Sequence, residues 1–356
     1  MKPNVQSPVL ASIQQNSLTD EMRQLLTNAG SGDPSVALVA QGEIASGIRD
    51  VLNSLSTSEE ALRDGVMDGD IVTDIFYEQK FDPTQNMQIP LSLLAPGTEK
   101  NHIAYVMPDV GRVPDRIVTA DYINLNTYQV SNSIGCSLRF FRNARTDILS
   151  RMIEVLQSGF TKKTNDDGWR TLLTAIDGRG IVAYDADATA GQFTPKLVSI
   201  MKTVMRRNGG GNSTSVNRRK LTDLYMSPEA FEDMTAWGLN LIPDAVRQNI
   251  FRSTDGSLSG FFGVNFHDID ELGVGQEYQA YYQTTLSGSM GPSSDEELVV
   301  GLDLTNKKVS FLMPVSMPLQ VYEDNTQHRL GLASFYGHKE HGFAACDTRF
   351  CLAGSF

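Results

Sequence analysis

Between positions 138 and 176 the apolar residues follow a helical rhythm. Phe141, Ala144, Ile148, Leu149, Met152, Ile153, Leu156 and Phe160 recur at steps of three and four, which gathers them on one face of an α-helix. Arg142, Arg145, Arg151, Lys162 and Lys163 fall mostly on the remaining surface, and no proline interrupts the run. Gly159 and Gly168 each cost about 1 kcal/mol relative to alanine, so the rod is expected to bend or break there. Its uninterrupted part, 143–164, spans roughly 33 Å. Asp166 and Asp167 suit the start of a second helical segment carrying Trp169, Leu172, Leu173 and Ile176, because acidic side chains favour a helix N-terminus. An element this long is either a central core helix or a spine on which other elements lean.

Around the helix the periodicity changes. Residues 71–77 are β-branched and aromatic, and 115–130 contain a two-residue alternation, both strand signals. The intervening 82–114 carry Pro83, Pro90, Pro96, Pro108 and Pro114, too many breakers for a regular element, although 103–107 suit one arm of a long hairpin. A polar excursion of this length is expected to be functional or to reach outward to a partner. After the long helix, 178–191 form a turn-rich connector. A helix is expected from Phe193-Thr194-Pro195 to about Arg207, with Leu197, Ile200, Met201, Val204 and Met205 inward. Residues 221–226 read as a buried strand, and Ser227-Pro228-Glu229 starts a helix running through Trp237. A short helix is expected at 243–251. Further strands are expected at 263–267, 297–302, 308–313, 329–336 and 343–352. Residues 1–65 show two short, weakly apolar helical stretches, the pattern of an arm that packs on something else. The class is α+β, with units at 1–65, 66–137, 138–178, 179–325 and 326–356.

Composition narrows the function classes. The chain has 356 residues with 40% hydrophobic and 20% charged content, as ordinary folded proteins do. Its net charge of −12 works against gripping nucleic acid. No apolar run is long enough for a membrane span, and the N-terminus lacks a signal-peptide core. Three cysteines, Cys136, Cys346 and Cys351, point to a reducing compartment rather than a disulfide framework.

Candidate chemistry is sparse. His338, His341, Cys346 and Cys351 are zinc-ligand types at close spacing, but neither pair has finger spacing. A polar turn between closing strands is the simpler reading. The glycines of 208–213, flanked by Arg206, Arg207, Arg218 and Arg219, follow a helix and lack the phosphate-loop motif. They read as a surface loop rimming an opening. There is no Gly-x-Ser-x-Gly elbow and no His-Glu-x-x-His. Asp166-Asp167 and Glu296-Glu297 read as solvated pairs, and His267 as a strand histidine. The chain is therefore expected not to be an enzyme and to need no cofactor or metal.

Several segments taken in order resemble the major capsid proteins of tailed double-stranded DNA bacteriophages, a capsid fold shared with herpesviruses. Residues 118–138 (VTADYINLNTYQVSNSIGCSL) are similar to the strand that leaves that family's extended loop. Residues 139–176, with Asn165-Asp166-Asp167-Gly168-Trp169 near their end, are similar to its spine helix. Leu224-Tyr225-Met226-Ser227-Pro228-Glu229-Ala230 resembles the strand-to-helix turn of its axial domain, 251–267 (FRSTDGSLSGFFGVNFH) its glycine-rich turn and strand, and 329–353 its closing strands.

The resemblance implies an N-terminal arm at 1–65 and an extended loop with peripheral-domain strands at 66–137. It implies a spine helix at 138–178, a mixed axial domain at 179–325 and closing peripheral strands at 326–356. It implies a structural protein of the virion capsid, assembled in the host bacterial cytoplasm as pentamers and hexamers of an icosahedral head. The implied partners are other copies of the chain, scaffolding, portal and decoration proteins, and packaged double-stranded DNA met non-specifically at the inner surface, with no membrane. Candidate inter-subunit contacts are Lys100 and Asn101 in the loop over a neighbour, Arg142 and Arg145 on the spine, and Asn208, Gly210 and Asn212 near the capsomer centre. No crosslinking carboxylate is assignable, so Lys-Asn crosslinking is not carried over. The alternatives are another virion structural component and a soluble α+β hydrolase.

Overall fold

The computed structural model describes residues 74–81, 87–90, 122–137, 146–189, 191–208, 219–237, 261–291 and 296–356. The described residues form two five-stranded sheets and one two-stranded sheet, with a long helix packed between the two larger ones. The first sheet is formed by β1 (Tyr77–Lys80), β4 (Tyr128–Ser137), β9 (Phe311–Asp324), β10 (Leu332–His341) and the short β11 (Ala344–Ala345). Its order is β1-β9-β10-β4, with β11 paired to β9. The second sheet is formed by β5 (Val182–Tyr184), β6 (Asp223–Met226), β7 (Asn265–Asp268), β8 (Leu298–Leu302) and β12 (Cys351–Ser355) in the order β5-β12-β8-β6-β7. β2 (Met87–Pro90) and β3 (Tyr122–Leu125) form the third.

The long helix, α1, runs unbroken over Thr146–Arg179, 34 residues, or about 51 Å. It continues through both Gly159 and Gly168, against the expected break. What changes near 160–169 is the buried face. Successive residues turn by about 100° around a helix. Leu156 and Phe160 lie close together on one side, while Trp169, Leu172, Leu173 and Ile176 cluster roughly 200° away. The first side faces the first sheet: Asn132 Nδ2 of β4 donates to the Leu156 carbonyl at 3.5 Å, and Phe160 packs under Gly337 of β10. The second side joins a core with Tyr225, Val300, Cys351 and Ala353. Burial of those four large side chains contributes about 1.5–3 kcal/mol each, which outweighs the glycine cost. Gly159 itself gives close approach, since a Cβ there would sit 2.5 Å from Asn132 Nδ2.

The second sheet is covered on both faces at its centre, so β8 reads as a continuous apolar run. Leu298, Val300 and Leu302 point towards α1, whereas Val299 points to a second core. That core includes Leu197, Val198, Met201 and Met205 of α2 (Pro195–Asn208) and Ala230 and Met234 of α3 (Pro228–Ala236). The α3 start is locally encoded. Ser227 Oγ accepts from the Ala230 N–H, Pro228 opens the helix and Glu229 sits in its first turn. Met201 lies against Gly301 and Gly354, where a Cβ would meet its Cε at 2.9 Å and its Sδ at 2.7 Å respectively.

Other expectations need correction. Lys308-Val309-Ser310 belong to a helical turn, α5 (Lys307–Ser310), and the strand starts at Phe311. β9 lies in the first sheet although all of it falls inside 179–325. β12 lies in the second sheet although it was grouped with the closing strands of 326–356. Sheet membership is set by long-range pairing, to which local pattern is blind. His338 and His341 are strand residues of β10, paired on both sides, and not a turn. Asp74 and Ile75 form a helical turn before β1. In the proline-rich stretch, 87–90 is a strand, with Pro90 at its end opposite Tyr122; the arm expected at 103–107 and the helix at 243–251 lie outside the described residues.

Candidate interaction surfaces

The residue types that suggested chemistry are dispersed. His338 Nε2 lies 3.1 Å from Met317 Sδ. His341 faces away into a buried aromatic niche, 5.3 Å from the Tyr128 ring and 5.4 Å from Phe343. Burial, with a smaller push from Lys339, lowers its pKa to about 4, so it is neutral. Burial raises the thiol of Cys346 to about 11 and that of Cys351 to about 12, so both stay protonated. Cys351 Sγ donates to the Thr348 carbonyl at 3.2 Å. Among the described residues no group of His, Cys, Asp and Glu is arranged to hold a metal ion, and no helix is long and apolar enough to cross a membrane.

The polar clusters that do exist join elements together. In a cleft of about 800 Å³ between β4 and α1, the Tyr128 hydroxyl donates to Asp167 Oδ2 at 2.9 Å, and Lys163 Nζ reaches Asp167 Oδ1 at 2.7 Å. Burial and the Asp167 carboxylate raise the Tyr128 pKa, so its hydroxyl keeps its proton. Arg170, further along the cleft, sits 3.5 Å from Glu277 of α4 (Glu277–Ala280) and over the Tyr281 ring.

A second cluster marks the crossing from β11 to β12. Asp347 Oδ2 accepts from Arg219 Nη2 at 3.1 Å and from Arg349 Nη2 at 2.7 Å. Arg219 also lies 3.7 Å over the Phe350 ring. Burial alone would raise the Asp347 pKa. The hydrogen bonds and charges of Arg349, with the charge of Arg219, more than offset it and hold the carboxyl below its ordinary range. Arg179 at the end of α1 donates to the Arg349 and Cys351 carbonyls. These arginines clamp the segment shared by the two sheets.

Three features face outward. On the first sheet Tyr322 and Tyr336 form a cross-strand stack at 5.4 Å, each 39% exposed. At the C-terminal end of α2 is a basic groove of about 930 Å³ lined by Lys202, Arg206, Arg207, Arg219 and Lys220. Arg206, Arg207 and Arg219, singled out in sequence around the glycine loop, thus share one surface. The opposite end of the second sheet is acidic. Of the expected contact residues, Asn208 is the last residue of α2. Lys100, Asn101, Arg142, Arg145, Gly210 and Asn212 lie outside the described residues, as does Arg218. The aromatic stack and the acidic end were missed; Tyr322 and Tyr336 only become neighbours through the β9–β10 register.

Two sheets bridged by one long helix, with a helix-covered mixed sheet beside a long-stranded one that is antiparallel except where β1 joins β9, define an α+β fold found in bacteriophage capsid subunits. No family model and no curated protein matches the sequence. Among solved structures, the capsid of a native GTA particle with C5 symmetry is 12% identical with a TM-score of 0.51, over 82% of this chain and 92% of that one. The Cyanophage Pam1 capsid asymmetric unit is 12% identical with a TM-score of 0.51, over 79% and 88%. The capsid of an empty GTA particle is 14% identical with a TM-score of 0.50, over 82% and 92%. At these identities the likeness establishes a shared fold.

Proposed function

We propose that the chain is the shell subunit of a bacteriophage head, assembling with its own copies as pentamers and hexamers into an icosahedral capsid around double-stranded DNA. The observation that carries this reading is the fold likeness, which extends over 82% of this chain and 92% of the native GTA capsid chain, and over 79% and 88% for the Pam1 capsid. The physical character of the subunit supports it. The described polar clusters are internally paired links between elements, as a load-carrying building block requires. An acidic surface keeps a container from gripping its contents along their length.

On this reading 1–65 act as an arm and 66–137 supply the extended loop and peripheral strands. Residues 138–178 form the spine and 179–325 the axial unit, with β9 assigned to the peripheral sheet and β12 to the axial sheet. Scaffolding, portal and decoration proteins are further partners. The subunit is assembled in the host cytoplasm and resides in the virion, without a catalytic role.

The test is size-exclusion chromatography with electron microscopy of the purified chain. Hexamers, pentamers or shells are expected. A monomer that persists at all concentrations overturns the reading. Deletion of 1–60 is expected to abolish assembly while the far-ultraviolet circular dichroism of the remainder is retained.

A further inference from the structure

The second sheet is chemically polarised along its strands. β5, β12, β6 and β7 all run the same way, with β8 alone reversed, so the two ends of the sheet collect different parts of the chain. At the end where β6 and β7 begin lies the basic groove. Arg206 and Arg207 come from the last turn of α2 and Lys220 from the segment entering β6, and all three are exposed. Arg219 is committed to Asp347 and Lys202 to the Phe262 carbonyl. Cations at a helix C-terminus are favourable to the helix itself, but that accounts for the arginines and not for Lys220.

The end where β6 and β7 finish is acidic. Glu229 follows β6, Asp268 closes β7, and Asp270 and Glu271 form the next turn; all four are exposed. The four-residue strands hold the two poles roughly 13 Å apart.

Each pole also carries one exposed apolar side chain. Phe262, 59% exposed, lines the basic groove, and Val274, 57% exposed, stands beside the acidic turn. Phe262 has φ of 54°, a conformation that a bulky L-residue adopts only at a cost of about 1–2 kcal/mol. It is held outward against its own backbone preference.

We propose that these poles are the two halves of one contact: the basic groove with Phe262 of one copy receives the acidic turn with Val274 of a second copy, head to tail. This rests on the shell-subunit reading and specifies how copies meet. A contact between unlike surfaces is heterologous and closes into a ring when its rotation closes. An apolar centre with a charged rim is the usual make-up of a protein interface. A nucleic acid is the poorer occupant. The chain's net charge of −12 opposes it, and Phe262 at the groove mouth gains nothing from a phosphate backbone.

The experiment is a charge swap on the full chain. R206E/R207E reverses the basic pole, D270K/E271K the acidic pole, and a 1:1 mixture of the two variants re-creates complementarity between unlike copies. Sedimentation velocity reads assembly, and circular dichroism melts check the fold. Each variant alone is expected to assemble at least about ten-fold more weakly, and the mixture to recover association. Wild-type assembly with both variants also assembling normally overturns this contact alone. A mixture no better than its components likewise overturns it. A wild type that stays monomeric overturns both this contact and the shell-subunit reading. Normal assembly of R206E/R207E with loss of binding to a fluorescent DNA duplex would reassign the groove to nucleic acid and overturn the contact.

Discussion

The Tyr128 hydroxyl donates to the Asp167 carboxylate at 2.9 Å, fastening the start of β4 to the middle of α1. Asp167 lies on the same side of α1 as Leu156 and Phe160, the side turned to the first sheet. One turn towards the N-terminus, Lys163 holds the other carboxylate oxygen. The bond thus registers the sheet on the helix, while Trp169 and Ile176 on the far side pack into the core shared with the second sheet. α1 is thus fixed to one sheet on each of its two sides.

Tyr128→Phe removes that hydrogen bond and leaves the ring contact with His341. The expected loss is about 1 kcal/mol, because this bond to a charged acceptor is exposed to solvent and Asp167 keeps Lys163 as a partner. Thermal melts should drop by a few degrees. No change in the melt would mean that the pair contributes nothing to docking β4.

His341 makes stability fall on acidification. Its folded pKa is depressed to about 4, below the ordinary value near 6.5. Between those limits the unfolded chain binds the proton and the folded chain does not, so stability increases with pH across the window. The charged groups that act on it are Lys339, Lys163 and Asp167. At pH 5 the penalty relative to pH 7 is about 2 kcal/mol. His341→Phe keeps the aromatic niche with Tyr128 and Phe343 and removes the titration. Its melting temperature should therefore change less than that of the wild type between pH 7 and pH 5.

How much of this was legible in sequence depended on how local its cause was. The α3 start was readable because Ser227, Pro228 and Glu229 act within one turn. Strand β8 was readable because Leu298, Val299 and Val300 are buried on both faces. The continuity of α1 was not readable. A helix that changes partners shifts the phase of its apolar stripe, and in one dimension the shift from Phe160 to Trp169 looks like a stop at Gly168. Asp167 read as a helix starter because its partner, Tyr128, is distant in sequence. The destination of β12 was equally hidden, since Cys351 and Leu352 look alike whichever sheet receives them. For the candidate site, Arg206, Arg207 and Arg219 were noticed as cations around a glycine loop. Their common groove, and the acidic pole facing the other way, follow only from the parallel alignment of β6 and β7.

Met201 crowds glycines at two strand positions, Gly354 foremost and Gly301 together with Leu221. Met201→Ala should leave a cavity over Gly301 and Gly354 and cost about 2–5 kcal/mol. Gly354→Ala should cost about 1–3 kcal/mol by overpacking, because its Cβ would sit 2.7 Å from Met201 Sδ. The double variant should cost less than the sum, because the new methyl enters the space that Met201 leaves. Denaturant unfolding of the three variants measures the cycle, and strict additivity would show that the two positions do not share that space.

Phe262 separates subunit stability from assembly. Phe262→Gly relieves a left-handed backbone worth about 1–2 kcal/mol, and the greater freedom of glycine in the unfolded chain opposes that gain by about 0.5–1 kcal/mol. The side chain is 59% exposed, so little burial is lost within the subunit. The melting temperature of the unassembled chain should stay at or slightly above that of the wild type. If the side chain is the apolar centre of the head-to-tail contact, assembly should weaken by about ten-fold or more, the scale of a buried aromatic anchor. Raising the salt concentration should weaken the wild-type contact further by screening its charged rim, whereas the deficit caused by losing Phe262 should persist at high salt. Equal assembly of Phe262→Gly and wild type at both salt concentrations would remove Phe262 from the contact and leave its strained backbone without a role.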